Sequence, residues 1–166
     1  LDTQKARVVF QGAEGAYSQA AMAKYFGDQV NSFHVDTFRD AMSAIEEGSA
    51  DFAVLPIENS SAGIVSENYD LLVEFENYIV GEQIIKIEHC LLAAPGTQME
   101  DIRTVYSHPQ SLMQCARYLN TQAGWKQISM QNNAFAARKV AEEKDKTQAA
   151  IAGEYAGKIY GLEVLE

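Results

Sequence analysis

Residues 51–63, Asp51-Phe52-Ala53-Val54-Leu55-Pro56-Ile57-Glu58-Asn59-Ser60-Ser61-Ala62-Gly63, change character at Glu58. Residues 52–57 are a short apolar run that reads as a buried strand entered from a helix. Beyond it stand a carboxylate, an amide, two hydroxyls and a glycine. Ser60 or Ser61 could cap the next helix, but that accounts for one hydroxyl and leaves Glu58, Asn59 and the other serine without a role. Polar groups in this place fit an α/β protein, in which ligands bind at the carboxyl ends of parallel strands.

The flanking sequence carries the same alternation. Arg7–Gln11 reads as a strand, followed by a glycine turn and a helix closed by Gly27. Asn31–Asp36 is a second strand. Phe38, Ala41, Met42 and Ile45 then recur at helical spacing, with Gly48 as the C-terminal cap. After the polar loop, Ile64, Val65, Leu71, Leu72 and Phe75 mark another helix. Residues 78–94 hold two strand-like runs before a turn at Pro95-Gly96. Strand 103–107, a helix from 108 to 120, strand 126–130, helix 133–144, strand 149–152 and a helix ending near Gly161 follow. Strands alternating with helices imply an α/β fold with largely parallel sheets. The two halves meet near Tyr78–Gly81, which gives a first lobe over 1–80 and a second over 81–160.

Composition narrows the function. A net charge of −10 argues against nucleic acid, which needs a basic stripe. It leaves small anions open, because backbone amides at helix starts make local positive sites. No apolar run approaches the roughly 20 residues needed to span a bilayer. The start is not a secretory signal, and it lacks Met, as an excised piece of a longer chain would. Cys90 and Cys115 lack metal-ligand spacing and read as buried thiols of a reducing compartment, so a cytoplasmic protein is expected. The three histidines are scattered, and no metal site is expected.

Two further polar clusters follow strands. In Gly12-Ala13-Glu14-Gly15-Ala16-Tyr17-Ser18, the glycines would allow a tight turn with amides pointing outward, or form a plain turn. In Ser107-His108-Pro109-Gln110, Ser107 and Gln110 have capping-box spacing and Pro109 suits a first helical turn. His108 would then sit at a helix start, where the dipole favours neutral imidazole.

These clusters, in this order, resemble the prephenate dehydratase family. Gly12-x-x-Gly15-x-Tyr17-Ser18 is similar to its glycine motif. Residues 56–60 (PIENS) and the SHPQ…QC pattern from Ser107 to Cys115 are similar to its most specific signatures. Residues 149–152 (AAIA) and the YGLEVL run from Tyr160 resemble a later segment. The resemblance spans residues 6–165. It implies two α/β lobes around a cleft, similar to the type II periplasmic-binding-protein architecture, with 161–166 starting back toward the first lobe. It also implies conversion of prephenate to phenylpyruvate, with no cofactor or metal, in a full-length protein expected to be a homo-oligomer. Asn59 and Gln110 would hold the substrate with Glu58 beside them. Glu58 would be either turned into a structural hydrogen bond or kept protonated by its surroundings. Gly15, Ser18, Ser60, Ser107, His108 and Asn133 would line the same region. Two departures stand out. Asn132-Asn133-Ala134 replaces the family's Ser/Thr-Thr-Ala helix start. The family's Thr-Arg-Phe motif and regulatory ACT domain would lie beyond Glu166, so the chain reads as a C-terminally truncated catalytic domain. The competing expectation is a non-catalytic two-lobed module that binds a small carboxylate.

Overall fold

The computed structural model describes residues 5–60 and 63–166. The chain divides into two compact units, one of Ser18–Ile85 with the described residues up to Ala13, the other of Lys86–Glu166 with Glu14–Tyr17.

The first unit is built on a parallel three-stranded sheet, β1 (Arg7–Gln11), β2 (Asn31–Val35) and β3 (Phe52–Val54), in the order β2-β1-β3. Val8, Val9 and Phe10 are all buried in the central strand because helices cover both faces. Val8 and Phe10 pack with Met22 and Phe26 of α1 (Tyr17–Phe26). Val9 packs with Ala41, Ala44 and Ile45 of α2 (Phe38–Glu46). Thr37 caps α2 through Oγ1, which accepts from the Asp40 N–H at 3.0 Å, and Gly48 follows at φ 81°. β3 stops short of the expected Ile57, since Pro56 has no N–H to continue a ladder. Glu58–Asn59 (β4) and Gly63–Ile64 (β5) instead form a small antiparallel hairpin. Ile64 and Val65 therefore precede α3 (Ser66–Glu74) rather than sit on it, and Ile64 is exposed.

In the second unit, β6 (His89–Ala93), β7 (Thr104–Ser107), β8 (Lys126–Ser129), β9 (Gln148–Gly153) and β10 (Glu163–Val164) form a sheet in the order β10-β6-β9-β7-β8. β9 is buried along its whole length. Its side chains alternate between two cores. Ala149 and Ile151 join Leu91, Val105, Leu112 and Leu119 on one face. Ala150 and Ala152 join Leu92, Tyr106, Val140 and Ala156 on the other. The second face is covered by α6 (Asn133–Glu143) and α7 (Glu154–Tyr160), and Gly161 ends α7 at φ 70°.

The expectation of largely parallel sheets holds for the first unit but not for the second. There β7 pairs parallel with β8 and β9, whereas β6 runs antiparallel to both β9 and β10. Residues 163–164 extend this second sheet along β6. Of the two strand-like runs in 78–94, only β6 forms. Tyr78, Ile79 and Val80 are exposed, because β-branched and aromatic residues make a strand only where a pleated, half-buried surface receives them. The expected helix over 108–120 is two pieces, α4 (Pro109–Gln114) and α5 (Ala116–Leu119), broken where Cys115 leaves helical geometry at φ −96°, ψ 9°. No helix among the described residues is long and apolar enough to cross a membrane.

Candidate functional site

Glu58 and Asn59 lie on β4, paired with Ile64 and Gly63. Adjacent strand residues point to opposite faces, and here Glu58 is exposed while Asn59 is half-buried. Among the described residues, no hydrogen bond or ion pair ties the exposed Glu58 carboxylate. Ser60 is exposed in the hairpin turn, and Ser61 lies outside the described residues. Ser60 does not cap the next helix: α3 begins at Ser66 after Val65, with no side-chain cap. The base of the hairpin is held from α3. Val65 N–H donates to the Ile57 carbonyl at 2.8 Å, and the buried Asn68 Nδ2 donates to the Pro56 carbonyl at 2.6 Å. Asn68 Oδ1 is buried without a partner among the described residues.

The second-unit cluster is closed where the first is open. Asn133 Oδ1 accepts from Ser107 Oγ at 2.7 Å and from the His108 N–H at 2.9 Å, and its Nδ2 donates to Ser111 Oγ at 2.8 Å. The Ser107 hydroxyl also faces the Ile151 carbonyl at 2.7 Å and is fully buried. Ser107 and Asn133, expected to line the ligand region, tie the start of α4 to the start of α6. The capping box also shifts by one residue. His108, not Ser107, is the N-cap, with Nδ1 accepting from the Gln110 N–H at 3.0 Å. A bare Nδ1 puts the proton of a neutral ring on Nε2. The Gln110 side chain is exposed on α4. Asn132 caps α6 through Oδ1 and the Phe135 N–H at 2.8 Å, doing the work of the expected Thr.

The glycine turn serves packing more than anion binding. Gly12 N–H is spent on the Val35 carbonyl at 2.9 Å. Gly15 sits at φ 89° against α7, where a Cβ would lie 2.9 Å from the Tyr160 ring. Tyr160 Oη donates to the Glu14 carbonyl at 2.6 Å. Ser18, in the first turn of α1, is half-buried.

One arrangement escaped the sequence reading. Tyr17 Oη lies 3.2 Å from His89 Nδ1, and His89 Nε2 lies 2.7 Å from Gln114 Oε1. Burial, with a smaller contribution from Cys90 and Cys115, pushes the Tyr17 phenol up to about 12. Cys90 and Cys115 are unpaired and half-buried rather than buried. Burial raises both thiols, and carboxylates of Glu154 and Glu88 add to the shift at Cys90. They line a cavity of about 130 Å³ beside His89 and Tyr118. No His, Cys, Asp and Glu cluster suited to a metal occurs among the described residues.

Two α/β units with polar turns after their strands make this an α/β protein. The family is narrower: the chain belongs to the prephenate dehydratase family, whose sequence pattern matches residues 8–166. It is 40% identical over 169 residues to the bifunctional chorismate mutase/prephenate dehydratase of Escherichia coli K12, covering all of this chain and 44% of the relative. It is 43% identical to the chloroplastic arogenate dehydratase/prephenate dehydratase 1 of Arabidopsis thaliana, covering 99% of this chain and 41% of the relative. The chain thus spans less than half the length of these curated relatives. Among solved structures, a quorum-quenching acylase, GqqA, superposes with a TM-score of 0.85 at 35% identity, covering 96% of this chain and 58% of its own. The prephenate dehydratase of Arthrobacter aurescens shares the fold, with a TM-score of 0.82 at 24% identity over 96% of this chain and 54% of its own.

Proposed function

We propose that the protein removes carboxylate and hydroxyl from prephenate to give phenylpyruvate, a step of phenylalanine biosynthesis. The observation that carries this reading is the family pattern running across residues 8–166. In the reaction the ring carboxylate leaves as CO2 and its bonding pair enters the ring. The C–O bond to the ring hydroxyl breaks, and that oxygen takes a proton and departs as water. Aromatisation drives the step, so the protein has to orient the ring, exclude water from the departing carboxylate and help the hydroxyl leave.

Neutral donors suit a dianionic substrate on a chain with a net charge of −10, because they stabilise developing charge without a counter-charge. In this reading Asn59 and Gln110 donate to the substrate, Ser60 and Ser18 offer hydroxyls, and His108 offers a neutral Nε2–H. Glu58 remains solvated at the margin, since an ionised carboxylate would repel the one that leaves. Gly15, Ser107 and Asn133 contribute by holding backbone in place.

The test is phenylpyruvate formation from prephenate, with arogenate in parallel. Asn59→Ala and Gln110→Ala are each expected to lower turnover about a hundredfold, the scale for deleting one preorganised donor. Changes within twofold for both, with the fold intact, would remove them from the site. The likeness to GqqA supports a second reading, acyl-group hydrolysis. Release of acid from an acylated amine, with prephenate untouched, would favour it. Binding of prephenate without turnover would favour a carboxylate-binding module.

A further inference from the structure

Tyr17, His89 and Gln114 belong to the second unit and come from three separate elements, α1, β6 and the last turn of α4. Their meeting is built into the sheet. His89 stands opposite Gly153 in the β6–β9 register. The Tyr17 ring lies over Gly153, where a Cβ would sit 2.8 Å from the ring edge. Glycine at that strand end lets the phenol reach across to His89, which it meets edge-on with ring centroids 6.5 Å apart.

For a neutral imidazole the hydrogen bonds have one consistent direction. Gln114 Oε1, 2.7 Å from His89 Nε2, can only accept, so Nε2 carries the ring proton. Nδ1 of the neutral ring is then bare and takes the Tyr17 O–H at 3.2 Å. That phenol is protonated at physiological pH, as an ordinary tyrosine is, and burial pushes it up further to about 12. With its oxygen committed, the exposed Gln114 has an NH2 without a hydrogen-bond partner among the described residues. Three side chains thus fix which end of one surface amide is presented.

We propose that Tyr17 and His89 are positioning residues that hold the Gln114 amide with its NH2 outward, as a donor for a carboxylate of the substrate. The inference rests on the dehydratase reading for the identity of that carboxylate, and on the hydrogen-bond geometry for the relay. A purely structural role would need only the His89–Gln114 bond, which pins α4 to β6 in either amide orientation. A positioning role also needs Tyr17, because without its O–H the imidazole can change tautomer, Gln114 can turn over, and a carbonyl then faces the ligand.

Two measurements separate these roles. Nitrogen-15 NMR of the imidazoles is expected to show His89 as the Nε2–H tautomer in the native protein and as a mixture in Tyr17→Phe. Calorimetric titration with prephenate is expected to show binding about tenfold weaker in Tyr17→Phe, the scale of one hydrogen bond to a charged group. Gln114→Glu, which keeps an acceptor toward His89 and presents an anion outward, should bind at least as poorly. An Nδ1–H tautomer in the native protein would overturn the relay. So would native affinity in both variants with the expected tautomers, since the donor would then face no ligand. Binding by the native protein without phenylpyruvate formation would sink the dehydratase reading alone, and the relay would still be judged by the affinity ratio. No prephenate binding by the native protein would overturn both.

Discussion

The polar groups after β3 and those after β7 look alike in sequence and are opposites in structure. Glu58, Asn59 and Ser60 ride on a hairpin of two-residue strands at the surface, held at its base by Asn68 and Val65. Ser107, Ser111 and Asn133 are tied to one another by hydrogen bonds inside the protein. The difference lies in what surrounds the strand end. β3 stops at a proline on a small sheet, whereas β7 lies between two strands and beneath the start of α6. Density of hydrogen-bonding residues therefore does not tell a contact from a brace. The first cluster lies at the surface, and the second shapes the backbone that carries His108 and Gln110.

The largest expected effect tests that contrast directly. Asn133→Leu would leave the His108 N–H and Ser111 Oγ unpaired in a partly dry site. Each such group costs roughly 1–3 kcal/mol, so a loss of about 3 kcal/mol of stability is expected from urea midpoints. Glu58→Gln at the open cluster should stay within about 0.5 kcal/mol, as surface substitutions do. Equal losses at the two positions would erase the distinction between brace and contact.

The alternation of strands and helices was legible because burial imposes it: β1, β9 and α2 carry apolar residues wherever a neighbouring layer covers them. The strand-like run at 78–87 misled for the complementary reason, since propensity is local and a partner strand is not. Capping was legible to within a residue. Pro109 starts α4 as expected, but the imidazole of His108 displaced Ser107 from the cap because Ser107 is drawn inward by Asn133 and Ile151. The Tyr17–His89–Gln114 chain could not be read at all, as its members are 72 and 25 residues apart and meet only through sheet register. A cue existed in Gly153, at a strand end where a close approach excludes a side chain.

A second substitution sharpens the comparison from the open side. Asn68 is the one buried polar side chain under the hairpin among the described residues, and it is only half satisfied: Nδ2 holds the Pro56 carbonyl while Oδ1 has no partner. Asn68→Leu, of similar size, removes one hydrogen bond and with it a buried unpaired acceptor. These terms oppose each other, so a net loss of about 1 kcal/mol is expected, smaller than for Asn133→Leu. The same variant should loosen the hairpin locally, seen as faster amide exchange at Val65, whose N–H closes the hairpin base. A loss as large as that of Asn133→Leu would mean that Oδ1 is satisfied after all and that the open cluster is braced as firmly as the closed one.

The smallest expected effect concerns the entry to β3, where Asp51 meets Arg7. The side-chain hydrogen bond from Arg7, and then the one from the Arg7 backbone, hold the Asp51 carboxyl below its ordinary value of 3.8. The backbone N–H donates at 2.9 Å, while Nε and Nη2 lie at 3.4 and 3.3 Å. A carboxyl depressed in the folded state favours folding above its unfolded value, and that contribution is lost as pH falls through the folded value. The native protein should therefore exceed Asp51→Asn in stability above about pH 4, with the difference shrinking to nothing at more acid pH. Both side chains are roughly half exposed (45% and 46%), so solvent screens the pair and the difference should be slight. Arg7→Gln should remove only part of it, because the backbone N–H still reaches the carboxylate. Urea midpoints across the acid range would decide. A difference that does not change with pH would show that Asp51 acts through packing at the strand entry, and a loss in Arg7→Gln as large as in Asp51→Asn would show that the backbone bond contributes nothing.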